Sequence, residues 1–160
     1  MRALVLILAL TLLPLPALAQ CPGQELLSCP IGKKQLELCL DADGVSYSFG
    51  PKGRPEITLA TAIRDTDYQP WSGVGRAMWD AVRFTNQGTT YEVWTSLDRM
   101  AENAGWEGGV NVLKGEEMLA SLTCAPGSVR GDLGDIFDAK TDAGQCWNFD
   151  SFAWQDTPCP

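Results

Sequence analysis

Six cysteines, at positions 21, 29, 39, 124, 146 and 159, follow what reads as an export leader, and the chain contains no histidine. The leader has a positive start at Arg2, an apolar run from Ala3 to Leu13, breaks at Pro14 and Pro16, and the small-x-small cleavage pattern Ala17-Leu18-Ala19. That run is too short for a membrane span. An even cysteine count in an exported chain predicts three disulfides, because such chains mature in oxidising compartments. Cys29 and Cys39 flank a short hairpin-like segment and are the first expected pair, with Cys124–Cys146 and Cys21–Cys159 completing the set. Zinc is the competing use of cysteine, but no two cysteines have the close spacing of a zinc knuckle and no histidine is present to complete one. Leu18-Ala19-Gln20-Cys21 resembles a lipid-attachment box, with Gln20 where a small residue is usual, so lipidation of Cys21 is the alternative fate of this terminus.

Cleavage after residue 19 leaves residues 20–160 as one domain, long enough to bury a real core, with 11 basic against 20 acidic residues and a net charge of −9. No second apolar span follows, so the expected mature protein is soluble, periplasmic or secreted, without stable membrane insertion. Its acidity argues against nucleic acid and anionic membrane surfaces and favours rapid encounter with a basic protein.

Short alternating segments dominate the chain. Residues 105–124 read as a hairpin: Val110 and Val112 alternate with Gly109, Asn111 and Leu113, Lys114-Gly115-Glu116 turns the chain, and Met118, Ala120, Leu122 and Cys124 share one face of the return arm. Upstream, Leu36, Leu38 and Leu40 share a face, Asp41-Ala42-Asp43-Gly44 turns, and Val45, Tyr47 and Phe49 form the paired strand. Further strands are expected at 56–60, 77–85 and 89–96, the last rich in β-branched and aromatic residues. Residues 20–34 read as an irregular, stapled entry, 61–76 as an exposed glycine-hinged loop, and 97–104 as a loop or a single helical turn. Leu133, Ile136 and Phe137 suggest one short helical face, and the tail through Cys146, Trp147, Phe149, Phe152 and Trp154 reads as strapped down. The pattern predicts an all-β, disulfide-stapled antiparallel sandwich or barrel of about seven to eight strands with a minor C-terminal helix.

The absence of histidine removes the commonest general base and any histidine-dependent nucleophile, and no phosphate-binding or dinucleotide-binding glycine pattern appears. Two carboxylate pairs, Asp65 with Asp67 and Glu116 with Glu117, have the residue type for glycoside hydrolysis, but nothing in the sequence places either pair across one cleft, and adjacent strand residues such as Glu116 and Glu117 point to opposite faces. The series Asp132, Asp135, Asp138, Asp142 offers oxygen ligands without the spacing of a calcium loop, and reads as a solvated acidic helix face. No metal site and no cofactor is expected. Among six tryptophans, Trp71 stands out because Pro70 and Ser72-Gly73 place it in a loop, where an aromatic side chain can anchor an interface.

Several segments carry a resemblance: Ser28-Cys29 with the leucine-alternating strand ending at Cys39, Val45 to Pro51, Arg83-Phe84-Thr85-Asn86 with Tyr91-Glu92-Val93-Trp94, and Gly109 to Cys124. Over about residues 26–124 the chain resembles the periplasmic lysozyme inhibitors of the invertebrate-type and goose-type inhibitor families. The resemblance implies an antiparallel β-sandwich or barrel that inserts a loop with a Ser-Gly-x-x-Tyr motif into the lysozyme cleft. Here Ser72-Gly73-Val74-Gly75 is followed by Arg76 in place of tyrosine, and Ser96-Leu97-Asp98-Arg99-Met100 lacks both glycine and tyrosine. Either loop can stand for the inserted one, which makes Trp71, Ser72, Gly73, Arg76, Ser96, Asp98 and Arg99 the candidate binding residues, with Arg76 or Arg99 expected to meet cleft carboxylates.

The expectation is therefore an exported binding protein, not an enzyme, whose partner is a protein and specifically a lysozyme. The alternatives are an envelope module that binds glycan or another protein without inhibiting anything, and a carboxylate-based hydrolase. Exposed aromatics on a sheet face would favour sugar, a charged loop tip protein, and a deep cleft with two facing carboxyls hydrolysis.

Overall fold

Alternation decides the layout, because a strand with one apolar face must bury it against another layer. A computed structural model describes residues 21–158. In chain order the strands are β1 (Gln24–Ile31), β2 (Lys34–Asp41), β3 (Gly44–Gly50), β4 (Ile57–Thr61), β5 (Asp67–Gln69), β6 (Ala77–Asn86), β7 (Thr89–Asp98), β8 (Glu107–Lys114), β9 (Glu117–Thr123), β10 (Arg130–Gly131), β11 (Gln145–Asn148) and β12 (Ala153–Asp156). One helix, α1 (Asp135–Asp142), lies between β10 and β11, and a 3-10 turn spans Ile63–Asp65. The first sheet has the order β10-β1-β2-β3-β4, the second β5-β6-β7-β8-β9, and β11-β12 is a separate hairpin. All pairings are antiparallel.

The two five-stranded sheets bury their apolar faces against each other. Leu27, Leu36, Leu38, Val45 and Tyr47 from the first sheet meet Tyr68, Val82, Phe84, Val93 and Val110 from the second. Tyr47 stacks on Phe84 across the interface, ring centroids 5.4 Å apart. Leu133 and Ile136 close the core beside α1, the face that the sequence pattern marks. Lys140, on the same helix, is buried at 1% exposure, and its ammonium donates to the carbonyls of Ile63 (3.1 Å), Arg64 (3.2 Å) and Thr66 (2.9 Å). These carbonyls belong to the crossover between the sheets, so a helical lysine fastens that crossover. Burial pushes the Lys140 ammonium below its ordinary range, opposed by Asp65 and Asp67.

The all-β, stapled architecture is as the pattern requires, but strands are more numerous than seven or eight. The additions are β1, β5, β10, β11 and β12, in stretches that read as irregular. Residues 20–34 are not mainly loop: β1 occupies Gln24–Ile31 despite Pro30, whose carbonyl still accepts from Ala125 N at 2.9 Å. The 61–76 stretch holds the 3-10 turn and β5, and β7 runs on to Asp98. The tail is a hairpin whose Trp154 packs between Phe137 and Trp147, centroids 5.2 and 5.6 Å away.

The disulfides overturn the expected pairing. Cys21 is bonded to Cys39, and Cys29 to Cys124, which rules out Cys29–Cys39, Cys124–Cys146 and Cys21–Cys159. The reason lies in register. Cys29 stands opposite Leu36 on the core face, whereas Cys39 stands opposite Glu25 on the outer face, so the two sulfurs leave the hairpin on opposite sides. Cys29–Cys124 ties the first sheet to the end of β9. Cys146 is also disulfide-bonded. Cys159 and the expected leader at 1–19 lie outside the described residues. With its sulfur taken by Cys39, Cys21 has none left for a lipid thioether. Among the described residues no helix is long and apolar enough to cross a membrane.

Candidate functional site

The two loops that compete as candidates in the sequence are one structure. The loop after β5 runs back to the start of β6, whose first residue Ala77 is paired with Asp98 at the end of β7. This register sets Trp71–Arg76 directly beside Asp98–Met100 at one end of the second sheet. Arg76 grips Asp98 with two nitrogens: Nε donates to Oδ1 and Oδ2 at 2.8 and 2.9 Å, and Nη2 donates to Oδ2 at 2.6 Å. Asp98 Oδ1 also accepts from Met100 N at 2.9 Å, so the same carboxylate shapes the turn that follows β7. Hydrogen bonding from Arg76 holds the Asp98 carboxyl below the usual carboxylate range, and the Arg76 guanidinium is correspondingly raised.

Arg99 completes the tie. Its guanidinium lies over the Trp71 ring, 4.6 Å from the centroid, and donates to the Gly75 carbonyl, while its own N–H donates to Arg76 O at 3.2 Å. Trp71 is further held from both ends. Its indole N–H donates to Val74 O at 2.8 Å, and its backbone N–H donates to Asp80 Oδ1 at 3.1 Å. The same Asp80 oxygen accepts from the Tyr68 hydroxyl at 2.9 Å. Burial pushes the Asp80 carboxyl up, and these two donors oppose the shift. Gly73 and Gly75 take positive φ (84° and 96°) with open space around them, so they shape the loop without packing against anything.

Of the sequence-nominated residues, Trp71, Ser72, Gly73, Arg76, Asp98 and Arg99 gather at this tip. Ser96 does not form part of its bonding network; it sits within β7 between Trp79 and Glu107. One expectation changes in kind: Arg76 and Arg99 are engaged within the tip, so both act first as its framework. Val74 and Met100 lie in the two candidate loops but are not among the binding residues nominated from the sequence, yet they are 72% and 74% exposed and are the most exposed large apolar side chains among the described residues. The glycines flanking Val74 are the signal that could have marked it. The carboxylate pairs do not form a centre: Asp65 and Asp67 are exposed, with Asp67 beside Arg83 at 3.5 Å, and Glu116 and Glu117 are exposed at the β8–β9 turn.

No family model, no curated protein and no solved structure matches the chain.

Proposed function

We propose that this chain is an exported binding protein, periplasmic or secreted, that acts as a lysozyme inhibitor-like protein by docking its Trp71–Arg76 and Asp98–Met100 tip into the cleft of a basic enzyme. The observation that carries the reading is the pair of bare apolar side chains, Val74 and Met100, mounted on a loop pair already tied by Arg76–Asp98 and Arg99–Trp71. Exposed apolar groups on a pre-ordered loop gain burial on docking at little ordering cost. Tryptophan and arginine beside them are the residue types that dominate binding energy at interfaces. The acidic body steers a basic enzyme toward the tip, and binding rather than catalysis fits a chain without histidine.

The test is residual activity of chicken-type, goose-type and invertebrate-type lysozymes in a large excess of the purified mature protein. Inhibition of at least one is expected. Trp71→Ala and Met100→Ala should each weaken it by about tenfold to a hundredfold. Undiminished activity of all three enzymes removes the reading.

A further inference from the structure

The outer face of the first sheet carries a groove of about 700 Å³, within the size range of small-ligand sites. Its floor follows from strand register. Arg130, Ser28, Glu37 and Ser48 form one continuous cross-strand row over β10, β1, β2 and β3. Adjacent members of such a row have Cβ atoms about 5 Å apart, so the hydroxyls of Ser28 and Ser48 flank the Glu37 carboxyl on either side. The turn carrying Pro51, Lys52 and Pro55 walls one side, and the segment from Gly127 to Arg130 the other.

This groove holds charge of both signs that is not neutralised internally. Glu25, Glu37, Lys52 and Arg130 all line it, and none of the four takes part in an ion pair among the described residues. Glu25 accepts only from Ser28 Oγ among side chains, at 2.9 Å. Burial and the neighbouring Glu25 push the Glu37 carboxyl up, with Lys52 too distant to bond and offsetting this only in part. A cation on the floor would relieve that cost. Glu25 and Glu37 rise from adjacent strands of one floor, not from opposite walls, which is the wrong arrangement for attack across a glycosidic bond. A neutral sugar would leave both signs of charge without partners.

We propose that this groove is a binding site for a short zwitterionic peptide, with its ammonium on Glu37 between Ser28 and Ser48 and its carboxylate on Lys52 or Arg130 at the rim. An ammonium has three donors, and the floor offers a carboxylate flanked by two hydroxyl oxygens. The proline-lined wall suits small apolar side chains between the two charged ends. The site lies on the first sheet and does not depend on the tip of the second.

The test is amide chemical-shift mapping of the full mature protein titrated with trialanine, N-acetyl-trialanine and trialanine amide. Trialanine should perturb Ser28, Gln35, Glu37, Ser48 and Lys52, and capping either end should weaken binding by about tenfold or more. Glu37→Gln, nearly isosteric, should bind trialanine and its acetylated form alike. The exposed-site variant Lys52→Met, combined with Arg130→Met, should bind trialanine and its amide alike, which keeps the test open if Glu37→Gln fails to fold. Trp71→Ala should leave trialanine binding unchanged. Equal affinity for capped and free peptides, perturbations confined elsewhere, or no perturbation at about 10 mM trialanine would overturn the proposal.

Discussion

Asp98 serves two neighbours at once, and its protonation decides whether the tip stays tied. The carboxylate accepts from Arg76 and from the Met100 amide. In the unfolded chain Asp98 titrates in the ordinary carboxylate range; in the fold it titrates lower, because Arg76 stabilises the charged form. The contribution of this pair to stability is therefore complete above the unfolded-state value and disappears as pH falls through the lowered one. Arg76→Ala should raise the Asp98 midpoint toward the ordinary range, read from its carboxyl carbon shift against pH. A midpoint that stays low in the variant would show that the Met100 amide alone sets it. Asp80 is the second such residue. Asp80→Ala removes the acceptor from the buried Tyr68 hydroxyl and from Trp71 N–H, and should cost about 1–3 kcal/mol in urea unfolding, the usual penalty of stranded donors. A loss well below that range would mean that water takes the acceptor's place. Trp71 was legible in the sequence as a loop aromatic, since proline and glycine neighbours mark loops locally. The partnership of Arg76 with Asp98 was not, because the two are brought together by strand pairing across 22 positions.

The β8–β9 hairpin illustrates how far local chemistry carries an element. Gly115 turns it at φ 61°, and Val110 is fully buried, both as the alternation requires. The return arm departs from it: Met118 and Leu119 are both exposed, because a bulge between Val112 and Leu113 shifts the register near the turn and β9 is an edge strand. Gly109 has a role that only pairing reveals. It faces Trp94 on one side and Thr123 on the other, and a Cβ there would run into the Leu122 carbonyl oxygen. Gly109→Ala should destabilise the fold by about 3 kcal/mol or more, because backbone must move to make room. Thermal unfolding reads this directly, and an unchanged midpoint would mean that β9 slides freely along β8. The same limit explains β1. The surrounding stretch 20–34, with two cysteines, two prolines and two glycines, reads as loop, yet pairing with β2 and burial of Leu26 and Leu27 hold Gln24–Ile31 as a strand.

The covalent ties differ in reach. Cys29–Cys124 closes a separation of 95 residues and crosses from one sheet to the other, whereas Cys21–Cys39 closes 18 and pins the entry to the outer face of β2. Loop-closure entropy assigns about 4–5 kcal/mol to the first and about 3 kcal/mol to the second. Replacing Cys29 and Cys124 together by alanine should therefore lower the urea midpoint further than replacing Cys21 and Cys39. The reverse order would mean that reduction is tolerated where the sheets meet. What residues alone settled was the class: alternating short strands, an even cysteine count, one short apolar helical face and an acidic charge, all of which can be read without knowing the fold. What folding settled was partnership. Which face each cysteine leaves from, that two separate loops make one tip, that Lys140 fastens the crossover, and that Glu25 and Glu37 share a groove all follow from strand register and sheet order. A one-position change in register reverses every side chain on a strand, so these contacts are properties of the assembled sheets and not of any local stretch.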